Sequence, residues 1–116
     1  MNIYEQFEEG LLTAVDVLSE QAKEQGTKAL MDMFKSLVLK KYKDAFEYEQ
    51  IQGQVHRKTI DKFVDFLYSD LCVSIRTHTR WSDDYKEQQI LLGKTLLPSF
   101  KETICSILQN KGLILI

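Results

Sequence analysis

Arg76, His78, Arg80 and Trp81 fall within six residues of one another in the stretch VSIRTHTRW, residues 73–81. Trp81 is the only tryptophan of the chain, and Tyr85 follows one helical turn later. These side-chain types dominate binding hot spots. Aromatic rings offer large, rigid contact area, and a guanidinium presents forked donors to a carboxylate. Such chemistry suits recognition of a partner. The expected partner-binding set is therefore Arg76, His78, Arg80, Trp81 and Tyr85. The competing structural role has Trp81 packed beneath the following helix, with the arginines in water or paired to Asp83 and Asp84.

Templates for catalysis are absent from the sequence. There is no phosphate-binding glycine loop, no G-x-S-x-G and no H-E-x-x-H. A di-iron bundle needs Glu-x-x-His on two helices. Here Gly53 precedes His56 at that spacing and Ile75 precedes His78. Cys72 and Cys105 form no C-x-x-C pair and lie near no histidine at metal-ligand spacing, so both read as buried free thiols. The expectation is a non-enzymatic chain with no catalytic residue, no metal ligand and no cofactor.

The elements that must position the corner are helices. Ile3, Phe7, Leu11, Val15, Leu18 and Ala22 recur every three or four residues, which predicts a helix over 2–25, stopped at Gly26. Gly10 inside that pattern points to close packing. A second stripe, Leu30, Met33, Phe34, Leu37, Val38, Tyr42, Ala45 and Phe46, predicts a helix over 27–50, capped by Thr27 and followed by a turn at Gly53. The third begins near Gln54 and carries Ile60, Phe63, Val64, Leu67, Leu71 and Ile75. Phe66 and Tyr68 widen its apolar arc, as on a helix packed on two sides or offered to a partner. Ser82 is a good N-cap for a fourth helix through Gly93, with Asp83 and Asp84 at its positive end. A fifth covers 97–110 with Phe100, Ile104, Ile107 and Leu108, or joins the fourth as one helix bent at Pro98. The expected fold is all-α: a single-domain antiparallel bundle of four to five helices over 1–116. The last residues, LILI, are either an apolar tail packed on the bundle or a short strand. Residues 73–81 alternate in a strand-like way and are its most obvious mate, although the Leu67, Leu71, Ile75 stripe favours helix to Arg76.

Charge narrows the partners. The net charge is -2, and residues 1–34 carry seven acids against two lysines, while 35–80 carry nine bases against six acids. A nucleic-acid-binding domain usually has a pI above ~9, against about 5.7 here. Nucleic acid is therefore an unlikely partner. The residual candidate for such a role is the basic set Lys40, Lys41, Lys43, Arg57 and Lys58. No apolar run approaches the ~20 residues of a membrane span, and MNIYEQFEEG lacks the apolar core of a signal peptide. A cytoplasmic location is expected.

Two resemblances bear on function. In size and acidity the chain resembles histidine phosphotransfer domains, four-helix bundles with an exposed phosphorylatable histidine, for which His56 is the candidate. That family typically places lysine and glycine third and fourth after the histidine. Thr59 and Ile60 stand there, with Lys58 at the second position. FVDFLYSDLCVSIRTHTRWSDDYKEQQILL resembles the third helix, loop and fourth helix of the immunity proteins of small bacteriocins, which are cytosolic four-helix bundles, though this chain is more acidic than many of them. The leading expectation is a small cytosolic inhibitor, adaptor, chaperone or immunity-type binder acting on a protein partner. Homo-oligomerisation through the wide third helix or the LILI tail is a further expectation.

Overall fold

Among the described residues, four α-helices, one 3-10 turn and one pair of two-residue strands make up the fold. The computed structural model describes residues 3–52 and 54–116. Asn2 and Gly53, the expected helix start and turn, lie outside the described residues, as do the side chains of Ile3 and Ile114. The elements are α1 (Ile3–Ala22), a 3-10 turn (Lys23–Gln25), α2 (Lys28–Gln52), β1 (Gln54–Val55), α3 (Arg57–Arg76), α4 (Asp83–Asn110) and β2 (Ile114–Leu115). Each helix packs on its neighbour in sequence, and α4 closes the ring on α1. Tyr42 meets Glu8, Lys111 meets Glu9, and Tyr68 meets Ile90, so adjacent helices run antiparallel. No helix among the described residues is long and apolar enough to cross a membrane.

The helical stripes form the core as their spacing predicts. Phe7, Leu11, Val15, Leu18 and Ala22 are buried, as are Leu30, Phe34, Val38, Tyr42 and Phe46. Ile60, Phe63, Val64, Leu67, Leu71 and Ile75 complete it from α3, and Phe100, Ile104 and Leu108 from α4. Phe46 lies between Phe7 and Phe63, with ring centroids 5.1 and 5.0 Å away, and Phe34 meets Phe100 edge-on at 4.7 Å. Edge-on and tilted arrangements suit the ring quadrupoles, at roughly 0.5–1.5 kcal/mol per pair beyond burial. At Gly10 α1 comes close to α4. A Cβ there would lie 2.8 Å from Leu108 Cδ2.

Of the two expectations for the last helical segments, the single helix is the one found: α4 runs through Pro98. Other local expectations are corrected. The third helix starts at Arg57, because Gln54 and Val55 are instead a strand. The LILI tail pairs with that strand and not with residues 73–79. The pairing is parallel, with Gln54 opposite Ile114 and Val55 opposite Leu115. Ile116 N–H donates to Val55 O at 3.0 Å and Arg57 N–H to Ile116 O at 2.8 Å. Gly112, at φ 87°, turns the chain back from α4. Leu113 N–H then bonds Leu108 O and Gly112 N–H bonds Gln109 O, a Schellman closure that buries Leu113. Gly26, at φ 73°, ends the first helical segment as expected. Thr27 stands at the N-cap position of α2, its carbonyl accepting from Met31 N–H at 2.8 Å, but its hydroxyl accepts no N–H of that helix. Its hydroxyl turns back to Ala22 O at 2.9 Å and is buried there, so it closes the end of α1. Cys72 is buried, but Cys105 is only half-buried.

Candidate functional site

The corner between α3 and α4 is fixed from both sides. On the α3 side, Thr77 donates both its amide and its hydroxyl to Val73 O, at 3.0 and 2.9 Å, and His78 N–H reaches Ile75 O. Lys86 on α4 donates its ammonium to Arg76 O at 3.0 Å. A cation on the last carbonyls of a helix meets the negative end of its dipole. On the α4 side, Ser82 Oγ accepts from Tyr85 N–H at 3.2 Å. This is the expected N-cap, and such a cap contributes ~1 kcal/mol. Asp83 and Asp84 occupy the first turn.

Between these two ends the aromatic residues assemble. Trp81 stacks on His78 with centroids 4.2 Å apart and planes at 16°. Its other neighbour is Tyr85, edge-on at 4.8 Å and 89°. All three rings are half-buried, and Trp81 also packs against the core. Arg80 N–H donates to His78 Nδ1 at 3.2 Å. Arg76 and Arg80 are exposed. Among the described residues, no ion pair joins either of them to Asp83 or Asp84. Residues 73–76 are helical, as the Leu67, Leu71, Ile75 stripe requires, and the connector spans 77–82. The structure thus brings His78, Trp81 and Tyr85 together as one ring stack and leaves the two guanidinium groups beside it in water.

Gln89 was not legible as part of this region. It lies one turn beyond Tyr85 on the stripe that continues through Gly93, and it is buried at 4% exposure. Its Oε1 is the one buried side-chain oxygen or nitrogen without a hydrogen-bond partner among the described residues. The only signal in the sequence is a polar residue at an i, i+4 core position. Lys86 was likewise missed, although a lysine one turn after an N-cap serine is within reach of the preceding helix end.

The other chemistry-bearing residues lie elsewhere. His56 is the N-cap residue of α3, in extended backbone and half-buried, one position before the helical turn in which it was expected. The basic set divides. Lys40 and Lys43 are exposed on α2, and Lys41 places its ammonium 5.6 Å from the Phe66 ring centroid. Arg57 instead faces α4 across a crevice of about 380 Å³ that also holds Asp61, Lys101 and Cys105. Burial pushes the Cys105 thiol pKa up, and the nearby Arg57 charge partly opposes this. Tyr68, which donates to Ile90 O at 2.8 Å, is pushed up to about 12 by burial and by its hydrogen bond with Cys72. Among the described residues, no three His, Cys, Asp or Glu side chains gather to hold a metal ion.

Comparison of the chain with protein-family models, with curated proteins and with solved structures found no match.

Proposed function

We infer that the protein is a non-enzymatic interaction module whose partner is another protein, and that the α3–α4 corner makes the contact. The observation that carries this reading is the His78–Trp81–Tyr85 stack, held at a doubly closed corner with Arg76 and Arg80 exposed beside it. A preorganised aromatic surface loses little side-chain entropy on binding. Exposed guanidinium groups at its rim favour carboxylates and raise the rate of encounter with an acidic partner. The partner expected from this chemistry is a protein surface that presents acidic side chains around an apolar or aromatic patch.

Affinity capture from the native host, followed by mass spectrometry, tests the reading when wild type is compared with Arg80→Ala and Trp81→Ala. The expected result is a protein retained by wild type and lost with both variants, at unchanged helical content by circular dichroism. Arg80 is exposed and, among the described residues, its side chain has no hydrogen bond or ion pair, so Arg80→Ala separates binding from folding. Equal capture by wild type and both variants removes the corner from the contact surface.

A further inference from the structure

The exposed face of α3 carries a second surface, independent of the corner. Phe66 and Val73 are 52% and 59% exposed, although large apolar side chains of a helical bundle normally face inward. They lie two turns apart on one line of the helix, a spacing of roughly 10 Å. Beside Phe66 a groove of about 510 Å³ runs between α2 and α3, floored by Ala45 and Phe63. Charges of both signs border this line. Lys62 stands one turn before Phe66 and Asp70 one turn after it. Among the described residues neither has an ion-pair partner within the chain. Asp70 is half-buried and Lys62 exposed.

This order of charges is self-complementary. An antiparallel copy of α3 related by a two-fold axis at Phe66 sets each position before the axis against the equally distant position after it. Phe66 then meets Phe66 of the second copy. Lys62 meets Asp70, and by symmetry Asp70 meets Lys62. Thr59 falls opposite Val73. A single helix face thus supplies one aromatic contact on the axis and two equivalent ion pairs around it, which is the requirement of an isologous interface. A surface evolved for an acidic or a basic partner would carry one sign of charge along this row. We propose that the Phe66 face of α3 docks a second copy of this chain, pairing Lys62 with Asp70 across a two-fold axis at Phe66. The α3–α4 corners, which lie beyond Val73, fall at opposite ends of the pair and remain open.

Light scattering coupled to size exclusion, run over a concentration series, tests the pairing by charge exchange. Wild type shifts from monomer to dimer as concentration rises. Lys62→Asp and Asp70→Lys each place like charges in both pairs, so each single variant runs as a monomer where wild type is dimeric. The double variant K62D/D70K restores the opposite charges and the dimer. Lys62 is exposed and Asp70 half-buried, and circular dichroism verifies folding of every variant. A cysteine on the axis gives a second readout. Oxidised Phe66→Cys forms a covalent dimer, while Val17→Cys, exposed on α1, does not. A wild type that stays monomeric to millimolar concentration overturns the proposal and leaves the face to a different occupant. A dimer untouched by both single reversals overturns it as well.

Discussion

Replacing Gln89 by an apolar residue of similar size is expected to stabilise the protein, the reverse of the usual effect of a core substitution. Gln89 is 4% exposed and its Oε1 has no hydrogen-bond partner. A buried amide oxygen left unsatisfied costs roughly 1–3 kcal/mol relative to water. Gln89→Leu removes that oxygen and adds apolar contact at a position between Tyr85 and the buried Gly93. Gln89→Met does the same while keeping an unbranched chain that adapts to the existing cavity. Leucine also loses less rotamer entropy on burial than glutamine. The expected gain is about 1–3 kcal/mol, or about 5–15 °C in Tm for a domain of this size. In urea it appears as a midpoint higher by about 1 M at unchanged m-value, which separates a stability change from a change in compactness. A lower midpoint for Leu alone points to branching that the site does not accept. A lower midpoint for both Leu and Met refutes the reasoning, because it means that the oxygen has a partner, such as a bound water.

Gly10→Ala is expected to lower Tm although it raises helix propensity by ~1 kcal/mol. The new Cβ sits 2.8 Å from Leu108 Cδ2, which is itself fully buried, and overpacking of ~1–3 kcal/mol leaves a net loss; a raised Tm contradicts the close approach of α1 to α4. Tyr68 gives an alkaline signature. Its folded pKa of about 12 lies above the ordinary 10.0, so the stability it contributes is complete below pH 10 and is lost as pH rises through about 12. Ultraviolet titration is expected to show one late-ionising tyrosine fewer in Tyr68→Phe than in wild type.

The parts of this fold that were legible in the sequence are those decided locally. A 3.6-residue stripe marks a helix because its apolar side chains must share one face. Val15, Leu18, Leu67 and Leu71 are accordingly found inside. Ser82 and Gly112 punctuate α4 through their own side chain and backbone, without reference to distant residues. Residues 73–76 show how two local patterns compete. Their alternation suits a strand, but Ile75 completes a stripe already three turns long, and burial of that stripe decides for helix. The β1–β2 pairing was hidden for the opposite reason. Gln54 meets Ile114 only after the helices have set the two ends of α3 and α4 side by side. Two-residue strands carry no periodicity of their own, and here LILI presents the clearest apolar run while its mate, QV, presents almost none.

The candidate site was legible in its residue types and illegible in its geometry. VSIRTHTRW shows that a tryptophan, a histidine and two arginines share a connector, but the stack of His78 on Trp81 depends on how tightly that connector turns. Thr77, Lys86 and Ser82 set the turn, and each of them works through a backbone group, which composition cannot display. Local choices in a folded chain generally agree with one another, and exceptions concentrate where function competes with stability. In this bundle one group of exceptions gathers at one end, separate from the exposed Phe66 and Val73 of α3 and from Ile116 at the C-terminus. Trp81, His78 and Tyr85 keep part of their ring surface in water, and the unpartnered Gln89 oxygen lies one turn below Tyr85 in the core. The opposite end has its strands paired, its Schellman turn closed and Val55 fully covered. A chain selected for stability alone gains by removing the Gln89 amide and covering the rings. Their retention at the same corner is the pattern expected when that corner is kept for a contact outside the chain, in agreement with the proposed role of Arg76, Arg80 and Trp81.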